Sequence, residues 1–497
     1  MRGALSMGPV RRVVILGGGT AGWMTAAALS KALASTGIAI TLIESEEIGT
    51  VGVGEATIPT IHWFNTLVGL DEGRFMADTG ATWKLGIEFR GWQGDGSAYF
   101  HPFGTYGAPG DAAMFPHRLT RAWLAGEDAP IEAFSLTTQV ARARAFAKPV
   151  GDPRSLLSTL GHAFHFDAAR YAAHLRALAE ARGVVRVEGK VARVDRDGDG
   201  GHVRALATER GDTVPGDLFV DCSGLRGLLI EQTMKAGYDD WSHWLPCDAA
   251  WAAPSEPEAA ATPYTQATAD AAGWRWRIPL RHRVGNGYVF STRFEEPEAA
   301  RERLVAAMET PPGAEPRLIR FVPGRRRRAW VGNVVAIGLA AGFLEPLEST
   351  SIHLIQSGIG KLLSLFPRDD ADPLLAEQYN RVSAREIEEV RDFVILHYHL
   401  TRGRTEPLWR HCQAMPIPDT LRYKLDQFRR SGRIMLSPDE LFRDASWFAV
   451  MTGQGVRAGD YNPLLDVMDE GANRAQLAGV RRAIADAAAR IPRLEPA

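Results

Sequence analysis

The sequence has 497 residues, of which 45% are hydrophobic and 23% charged, the composition of a folded globular chain and not of a disordered one. The 57 Lys and Arg residues nearly balance the 59 Asp and Glu residues, and a net charge of −2 argues against a protein that mainly holds nucleic acid or an anionic membrane. The three cysteines are too widely spaced for a disulfide framework, and no apolar run approaches the roughly 20 residues of a membrane span. We therefore expect a cytoplasmic protein with neither a nucleic-acid nor a membrane partner.

The first 50 residues have the order of a βαβ unit behind an N-terminal tail at 1–9. The predicted segments are a β-branched strand at Val10–Leu16, a turn at Gly17-Gly-Gly-Thr-Ala-Gly22, a helix at Trp23–Ala34, and a strand at Ile38–Ile43 that ends at Glu44.

Strand and helix patterns alternate through the rest of the chain. They predict an alternating strand at Thr82–Trp92, a helix at Asp167–Ala181, a β-meander over 184–223, a surface loop within Ala249–Ala272, strands at Trp274–Pro279, Gly287–Phe294 and Trp330–Gly338, a helix at Ser351–Leu363, and a helix at Leu374–His399. On this last helix we expect Glu386, Glu388 and Arg391 to point outward. The order predicts an α/β fold with an interleaved insert (10–370) and a mainly helical C-terminal region (371–497).

The glycine turn has the spacing of a dinucleotide-binding motif. Gly17 permits the tight turn, Gly19 lets the backbone approach a pyrophosphate, and Gly22 lets helix and strand pack closely. The phosphates would lie at the helix N-terminus, beside Thr20 and Ala21. Glu44, 22 residues beyond Gly22, suits the hydroxyls of a ribose.

The segments after this unit favour FAD over NAD. An NAD-binding chain usually continues βαβαβ, whereas here the second strand gives way to Gly52-Val-Gly54-Glu55 and a long insert. A meander then precedes Asp217–Gly224, where a strand, an acid and Ser-Gly are similar to the second FAD contact of flavin monooxygenases. We therefore predict FAD as the cofactor.

Four motifs together resemble the flavin-dependent tryptophan halogenase family. They are Gly17–Gly22, Gly52-Val-Gly-Glu-Ala-Thr-Ile-Pro59, Trp274-Arg-Trp-Arg-Ile-Pro279 and Phe343-Leu-Glu-Pro-Leu-Glu-Ser-Thr350. The resemblance implies a Rossmann-like flavin-monooxygenase fold whose FAD-binding parts lie at about 10–60, 150–230 and 325–370. It also implies O2, a halide (chloride or bromide), reduced FAD from a separate flavin reductase, an aromatic substrate under the C-terminal region, and a homodimer. Further FAD contacts are implied at Gly54, Glu55, Gly338 and Leu339.

Trp274 and Trp276 lie two residues apart and face the same side of a strand. Pattern alone favours a pair of core aromatic residues. The family resemblance implies a wall beside the flavin, which keeps the organic substrate away so that halide is oxidised and the substrate is not hydroxylated.

Lys84 follows Trp83 in a strand whose alternation places Lys84 and Glu88 on one face. Pattern alone favours a solvent-facing Lys–Glu pair. The family resemblance places the essential lysine at Lys84, where an ammonium would hydrogen-bond hypohalous acid or an amine would form a haloamine. Partial burial would lower its pKa and favour the amine.

Glu348 stands just before the predicted helix at 351, where an acid needs no ligand because it suits the helix dipole. The family resemblance implies that Glu348 stabilises the cationic ring intermediate and takes its proton, and that Thr350 and Ser351 offer backbone N–H groups to the halide. Tryptophan-specific members usually have Gly where this chain has Ser351.

The C-terminal stretch Ser446–Gly455 lacks the adjacent tyrosines with which tryptophan-specific members grip the amino-acid head group. An indole-, phenol- or pyrrole-like arene, or a larger indole-bearing molecule, therefore fits better than free tryptophan.

Two other signals are weaker, and two other functions stay open. Candidate metal ligands occur close together at His397, His399, His411 and Cys412. Histidines two positions apart diverge on a helix, so we expect no metal site. The run Arg325–Arg328 is expected to be a solvated turn.

The nearest alternative function is an FAD-dependent aromatic hydroxylase, and the other is a nucleotide-binding protein without turnover.

Overall fold

The computed structural model describes residues 9–48, 54–198, 201–259, 262–369 and 372–495. Its strands are β1 (Arg12–Leu16), β2 (Ala39–Glu44), β3 (Gly54–Ala56), β4 (Thr82–Lys84), β5 (Gly86–Arg90), β6 (Ala98–Pro102), β7 (Ala163–Asp167), β8 (Val185–Glu188), β9 (Val191–Arg196), β10 (Val203–Thr208), β11 (Thr213–Pro215), β12 (Leu218–Asp221), β13 (Tyr238–Asp240), β14 (Ala249–Ser255), β15 (Thr265–Asp270), β16 (Gly273–Pro279), β17 (Val284–Phe290), β18 (Arg317–Arg320), β19 (Gly324–Arg326), β20 (Trp330–Val331), β21 (Val334–Ala336) and β22 (Gly342–Phe343).

The α-helices are α1 (Thr20–Ala32), α2 (Ile61–Val68), α3 (Glu72–Thr79), α4 (Phe115–Leu124), α5 (Leu136–Arg142), α6 (Ala168–Glu180), α7 (Pro297–Ala307), α8 (Ser351–Ser364), α9 (Pro373–His399), α10 (Pro407–Ala414), α11 (Asp419–Ser431), α12 (Asp444–Gly453) and α13 (Glu470–Arg490). Short helical turns of other types lie at Ile131–Phe134, Leu156–Thr159, Gly224–Arg226, Leu228–Thr233, Gly338–Ala340 and Pro463–Val467. In the described residues no helix combines the length and apolar character that crossing a bilayer requires.

A six-stranded sheet in the order β20-β21-β12-β1-β2-β8 forms the Rossmann-like part of the fold. Its strands are parallel except for β20, and the buried β-branched residues of β1 lie at its centre. Helices α1, α6 and α8 pack together on one face. The carboxyl ends of β1, β2, β12 and β21 therefore meet at one edge, where open α/β sheets bind ligands.

The second large sheet has seven strands in the order β18-β14-β17-β16-β15-β5-β6. Neighbouring strands are antiparallel except for β15 and β5. Its apolar residues share the largest core cluster with residues of α9, α10, α11 and α12. The C-terminal helices therefore pack on the sheet that carries the predicted tryptophan pair.

The six-stranded sheet draws its strands from three separated parts of the chain, with the seven-stranded sheet inserted between them. In the predicted N-terminal tail, residues 1–8 lie outside the described residues, and Pro9 forms an isolated bridge with Asp369. Gly52 of the second predicted cofactor motif also lies outside them.

The alternation at Thr82–Trp92 predicts one strand, and this prediction is wrong. The chain changes sheet at Leu85, since β4 joins the small antiparallel sheet β3-β7-β4 and β5 joins the seven-stranded sheet. At the change the Leu85 N–H donates to the Pro263 carbonyl, and a side chain on Gly86 would meet the His101 carbonyl oxygen at 2.4 Å. The close approach of β6 thus starts a new strand at Gly86.

Two expectations for polar residues are also wrong. Arg391 on α9 is buried between Trp241 and Trp244, with its guanidinium carbon 4.8 and 4.9 Å from their ring centroids. The basic run at Arg325–Arg328 is not a free turn, because Arg326 is buried in β19 and pairs with Glu231 at 3.0 Å. In each case partners from elsewhere in the fold, two aromatic rings or a half-buried carboxylate, offset the desolvation of a charge that pattern places in solvent.

Candidate active site

The turn after β1 has the geometry of a phosphate-binding loop. Gly17 has a φ of +112°, and a side chain there would meet the Cys222 carbonyl oxygen at 2.3 Å. A side chain on Gly22 would lie 1.8 Å from the Gly17 carbonyl oxygen, whereas one on Gly19 would meet no described atom within 4 Å. Two glycines are thus required by packing, and the third borders open space at the start of α1.

The carboxylate of Glu44 lies beside this turn. A side chain on Gly18 would approach Glu44 Oε2 to 1.4 Å, and the Trp23 indole N–H donates to that oxygen at 3.4 Å. Arg186 holds the other oxygen at 2.5 Å. Glu44 is therefore fixed at the edge of the glycine turn, in the place expected for a ribose contact.

A second glycine turn, which follows β21, approaches the first turn of α1. Gly338 follows β21 with a φ of +71°, and a side chain on it would meet Ala21 Cβ at 2.9 Å. Gly338 and Leu339 therefore lie beside the first turn of α1, which contains Thr20 and Ala21.

Gly54 and Glu55 lie on a different element, the small sheet β3-β7-β4. Glu55 pairs with Phe166 in β7, and the opposite edge of β7 carries Lys84, which pairs with Ala163. Burial raises the pKa of Glu55 to about 8, although the charge of Arg283 opposes the shift. The two predicted sites of Glu55 and Lys84 are thus parts of one sheet.

Trp274 and Trp276 lie on β16 with their ring centroids 6.2 Å apart, and both are buried in the largest core cluster. The Trp274 indole N–H donates to Glu345 Oε1 at 2.9 Å. The Trp276 Nε1 is buried without a hydrogen-bond partner among the described residues, and its ring lies over Gly287, where a side chain would meet it at 2.0 Å. This buried donor is therefore available to a bound molecule.

Lys84 is fully buried at the end of β4, so the solvent-facing interpretation is wrong. Its Nζ donates to Ser349 Oγ at 2.8 Å and lies 5.2 Å from the ring centroid of Phe103. Burial lowers the pKa of Lys84 to about 7, and the negative charge of Glu348 opposes the shift. Burial thus brings the neutral amine form of Lys84 closer to neutral pH.

Glu348 is fully buried and lies between two histidines. His101 Nδ1 on β6 is 3.0 Å from Oε2, and His397 Nε2 on α9 is 2.7 Å from Oε1. Burial alone would raise the pKa of Glu348, but the two histidines outweigh burial and hold this pKa at about 2. The carboxylate is thus ionised at neutral pH.

The residue between Glu348 and the halide-binding candidates has an unusual backbone. Ser349 has a φ of +58°, one of three positive values among the described non-glycine residues. Thr350 follows as the N-cap of α8, and Ser351 is its first residue, with no side-chain cap and no acid in the first turn. The turn at Ser349 thus joins the Lys84 contact to a helix N-terminus with unscreened N–H groups.

Nothing in the sequence indicates that His101 and Ser349 belong to the site, and the spacing of His397 suggests only a metal ligand. His397 and His399 in fact diverge, since His397 Nδ1 meets Tyr99 OH at 3.0 Å and His399 Nδ1 meets the Cys412 carbonyl at 3.3 Å. The sequence shows each histidine only as a polar residue among apolar ones on a strand or a helix. This pattern is too common to identify a functional site.

In the C-terminal stretch, Trp447 and Phe448 on α12 are fully buried in the largest core cluster. The Trp447 indole N–H donates to Glu440 at 3.0 Å. Gln454, just after α12, donates to the His397 carbonyl at 2.8 Å. This helix therefore supports the Glu348 cluster with apolar and amide contacts.

Comparisons with known proteins identify the family. The tryptophan halogenase family model matches residues 12–470. The chain is 34% identical to the tryptophan 6-halogenase SttH of Streptomyces toxytricini over 95% of this chain and 94% of that protein. Among solved structures, it resembles the flavin-dependent halogenase Xcc4156 from Xanthomonas campestris (TM-score 0.94, 45% identity, 98% and 97% of the two chains) and the flavin-dependent halogenase BrvH from Brevundimonas sp. BAL3 (TM-score 0.93, 45% identity, 98% of each chain).

The family match extends over both large sheets and most of the C-terminal helices, so it covers the glycine turn, the tryptophan pair and the Lys84–Glu348 region together. This chain therefore belongs to the tryptophan halogenase family and is a flavin-dependent halogenase.

Proposed function

We propose that this enzyme halogenates an electron-rich, indole-type arene with hypohalous acid that is held at Lys84 while Glu348 assists the substitution. The observation that carries the proposal is the buried pair of a lysine with a pKa of about 7 and a carboxylate with a pKa of about 2, joined through the hydrogen bond between Lys84 and Ser349. Buried charges of opposite sign with perturbed pKa values are typical of catalytic sites.

The residues around the glycine turn fit FAD. The open space at Gly19 and the N-terminus of α1 suit its pyrophosphate, and the fixed Glu44 suits its ribose. The residues proposed to hold the cofactor are Gly17, Gly19, Thr20, Ala21, Gly22, Glu44, Gly54, Glu55, Trp274, Trp276, Gly338 and Leu339. When bound in its reduced form, FAD supplies the two electrons with which O2 and a halide ion give hypohalous acid and water. We propose that a separate flavin reductase provides the reduced cofactor.

Trp274 and Trp276 are proposed to separate the aromatic substrate from the flavin. Both rings are buried in one apolar cluster with their centroids 6.2 Å apart, so together they form a bulky wall. A small halide ion needs far less space than an arene, so exclusion by size favours oxidation of the halide.

Lys84 is proposed to hold hypohalous acid against the arene. As an ammonium it would donate to the oxygen of the acid and polarise the halogen, and as an amine it would form a haloamine. The hydroxyl of Ser349 directs Nζ in both forms because a hydroxyl can accept or donate.

Glu348 is proposed to stabilise the cation formed when the halogen adds to the ring and to receive the ring proton. A carboxylate with a pKa near 2 is a weak base, but a protonated arene is a far stronger acid than the carboxylic acid, so the transfer is downhill. In the ammonium form, the oxygen of hypohalous acid leaves as hydroxide and takes a proton from Lys84, and the ring proton on Glu348 then restores the ammonium, so the products are the haloarene and water. Thr350 and Ser351 are proposed to bind the halide with the N–H groups at the start of α8.

The substrate is proposed to be an indole-, phenol- or pyrrole-like arene, or a larger indole-bearing molecule. SttH is a tryptophan 6-halogenase, but here Trp447 and Phe448 stand in the C-terminal stretch without a tyrosine pair and are buried in the core. Apolar side chains cannot form hydrogen bonds or ion pairs with the ammonium and carboxylate groups of a free amino acid.

Two further proposals concern the protein as a whole. We propose a homodimer, which light scattering of the purified protein would test. We also propose a cytoplasmic location, which suits the three free, buried thiols at Cys222, Cys247 and Cys412.

The test combines the purified enzyme with a flavin reductase, bromide or chloride, and a panel of indoles, phenols and free tryptophan, with mass spectrometry as the readout. We expect halide-dependent addition of one halogen, strongest for an arene without an amino-acid head group. A product that gains oxygen from ¹⁸O-labelled O2 without halide would favour the aromatic hydroxylase. Flavin binding without any product would favour the nucleotide-binding protein.

A further inference from the structure

A second glutamate lies three residues before Glu348 in the motif Phe343–Thr350. Glu345 is 1% exposed. It accepts hydrogen bonds from an indole N–H and from a tyrosine hydroxyl, each on a different element. The Trp274 indole N–H on β16 donates at 2.9 Å, and the Tyr398 hydroxyl on α9 lies 2.7 and 2.8 Å from the two oxygens. One carboxylate thus connects the tryptophan wall to the longest C-terminal helix.

The position of Tyr398 is itself fixed on several sides. Its ring stacks on Trp409 with centroids 5.6 Å apart and meets the edge of Trp92 at 5.7 Å. Its hydroxyl lies 3.4 Å from the sulfur of Cys247. Because the ring cannot turn without disturbing these contacts, the hydroxyl holds Glu345 in one orientation.

The contact between Glu345 and Trp274 does not depend on the charge of the carboxyl group. Burial raises the pKa of Glu345 to about 7, although the bonds from Tyr398 and Trp274 oppose the shift. Both the carboxylate and the carboxylic acid present an acceptor oxygen to an indole N–H. Trp274 therefore has a fixed partner, while Trp276 has no partner for its Nε1 among the described residues.

We propose that Glu345 is a positioning residue that fixes the indole plane of Trp274 and thereby keeps the arene away from the flavin. This inference rests on the proposed function of the tryptophan pair. Glu345 acts through Trp274 and not on the substrate, so its role differs from that of Glu348. In this apolar place the side chain of Glu345 supplies the acceptor that the buried N–H of the indole needs.

The first test follows the indole N–H signals in ¹H–¹⁵N NMR spectra of the whole enzyme, with Trp274→Phe and Trp276→Phe variants to assign the two signals. We expect Glu345→Leu to move the Trp274 signal more than the Trp276 signal, and Glu345→Gln to keep it close to its wild-type position. An unmoved Trp274 signal in Glu345→Leu would overturn the proposal.

If Glu345→Leu does not fold, Tyr398→Phe decides the question, because it removes the hydroxyl that orients the carboxylate. The matched control is Tyr288→Phe, which removes a buried hydroxyl that donates to Glu295 at 2.6 Å. Tyr288 pairs with Arg275 across β16, so it lies on the opposite face from Trp274. Movement of the Trp274 signal in Tyr398→Phe but not in Tyr288→Phe supports the proposal, and equal spectra contradict it.

The second test measures the halogenated product formed per reduced FAD consumed. We expect about a tenfold lower ratio in Glu345→Leu and recovery of most of the ratio in Glu345→Gln. A wild-type ratio in Glu345→Leu would overturn the proposal. If the wild-type enzyme forms no halogenated product, the proposed function fails, and the indole signals still decide whether Glu345 positions Trp274.

Discussion

Lys84 and Ser349 are 265 positions apart in the chain, and a hydrogen bond of 2.8 Å joins the Nζ of one to the Oγ of the other. Ser349 reaches this position with a φ of +58°, a conformation that costs an ordinary residue roughly 1–2 kcal/mol. The turn that strains Ser349 also carries Glu348 on one side and the start of α8 on the other. A single turn therefore carries the hydrogen-bond partner of Lys84, the carboxylate of Glu348 and the residues proposed to bind the halide.

We predict that Lys84→Ala and Lys84→Met abolish halogenation and leave FAD binding intact, because neither side chain can polarise hypohalous acid. Met fills most of the volume of the lysine, so this variant separates the loss of the amino group from the loss of packing. Product is measured by mass spectrometry and FAD binding by flavin fluorescence. Undiminished product in either variant would remove Lys84 from its proposed role.

The lysine also predicts how stability changes with pH. The pKa of Lys84 is about 7 in the folded protein and 10.5 in an unfolded chain, so between these values the unfolded state binds more protons. This group therefore makes the free energy of unfolding rise between pH 7 and 10.5, by up to about 1.4 kcal/mol per pH unit. Urea unfolding across this range should show a smaller rise in Lys84→Met, and identical slopes would contradict the burial of a titrating lysine.

Two variants at Ser349 separate backbone strain from hydrogen bonding. Ser349→Ala and Ser349→Gly both remove the acceptor of Lys84, so we expect both to lose activity. Glycine adopts a positive φ without the cost that alanine pays, so Ser349→Gly should be more stable than Ser349→Ala by about 1 kcal/mol. Equal unfolding midpoints would show that the turn relaxes on substitution.

For Glu348 we predict that Glu348→Gln lowers the rate of product formation by about a hundredfold or more, since the amide neither carries the charge nor takes the proton. The same variant should also change how the stability of the protein depends on pH in the acid range. The pKa of Glu348 is about 2 in the folded state and 4.5 in an unfolded chain, so its contribution to stability is present above pH 4.5 and is lost as the pH falls toward 2. Glu348→Gln should lack this part of the acid destabilisation, and a full acid response in the variant would assign it to other groups.

The glycine turn offers a matched pair of substitutions. Gly22→Ala should destabilise the protein without cofactor, because its Cβ would lie 1.8 Å from the Gly17 carbonyl oxygen. Gly19→Ala should leave that stability nearly unchanged and weaken FAD binding by about tenfold or more, because its Cβ would occupy the open space proposed for the pyrophosphate. Thermal unfolding without FAD and titration with FAD measure the two effects, and the reverse order would contradict the placement of the cofactor.

The hydrophobic pattern of the sequence correctly predicted helices whose structure is determined by residues close together in the chain. The helix predicted at Ser351–Leu363 is α8 at Ser351–Ser364, and the one predicted at Asp167–Ala181 is α6, with Asp167 as its N-cap. The glycine spacing likewise predicted the turn, because the close contact between Gly22 and the Gly17 carbonyl lies within one βα unit.

Pattern failed where the environment comes from another part of the chain. Arg391 has the sequence context of an exposed helix residue, and only the fold brings Trp241 and Trp244 to either side of it. His101 and Glu348 are 247 positions apart, so nothing near either residue in the sequence indicates their pairing. Lys84 was assigned to the site by family resemblance alone, since strand alternation favours an exposed side chain there.

The two tryptophans of β16 differ in what limits their movement. The indole N–H of Trp274 is held by a hydrogen bond to Glu345. The ring of Trp276 instead packs against Gly287 in the neighbouring strand, which has no side chain. A single methyl group at position 287 would lift one ring and leave the other in place. If the tryptophan pair separates the flavin from the arene as proposed, a substitution on β17 would change that separation through Trp276.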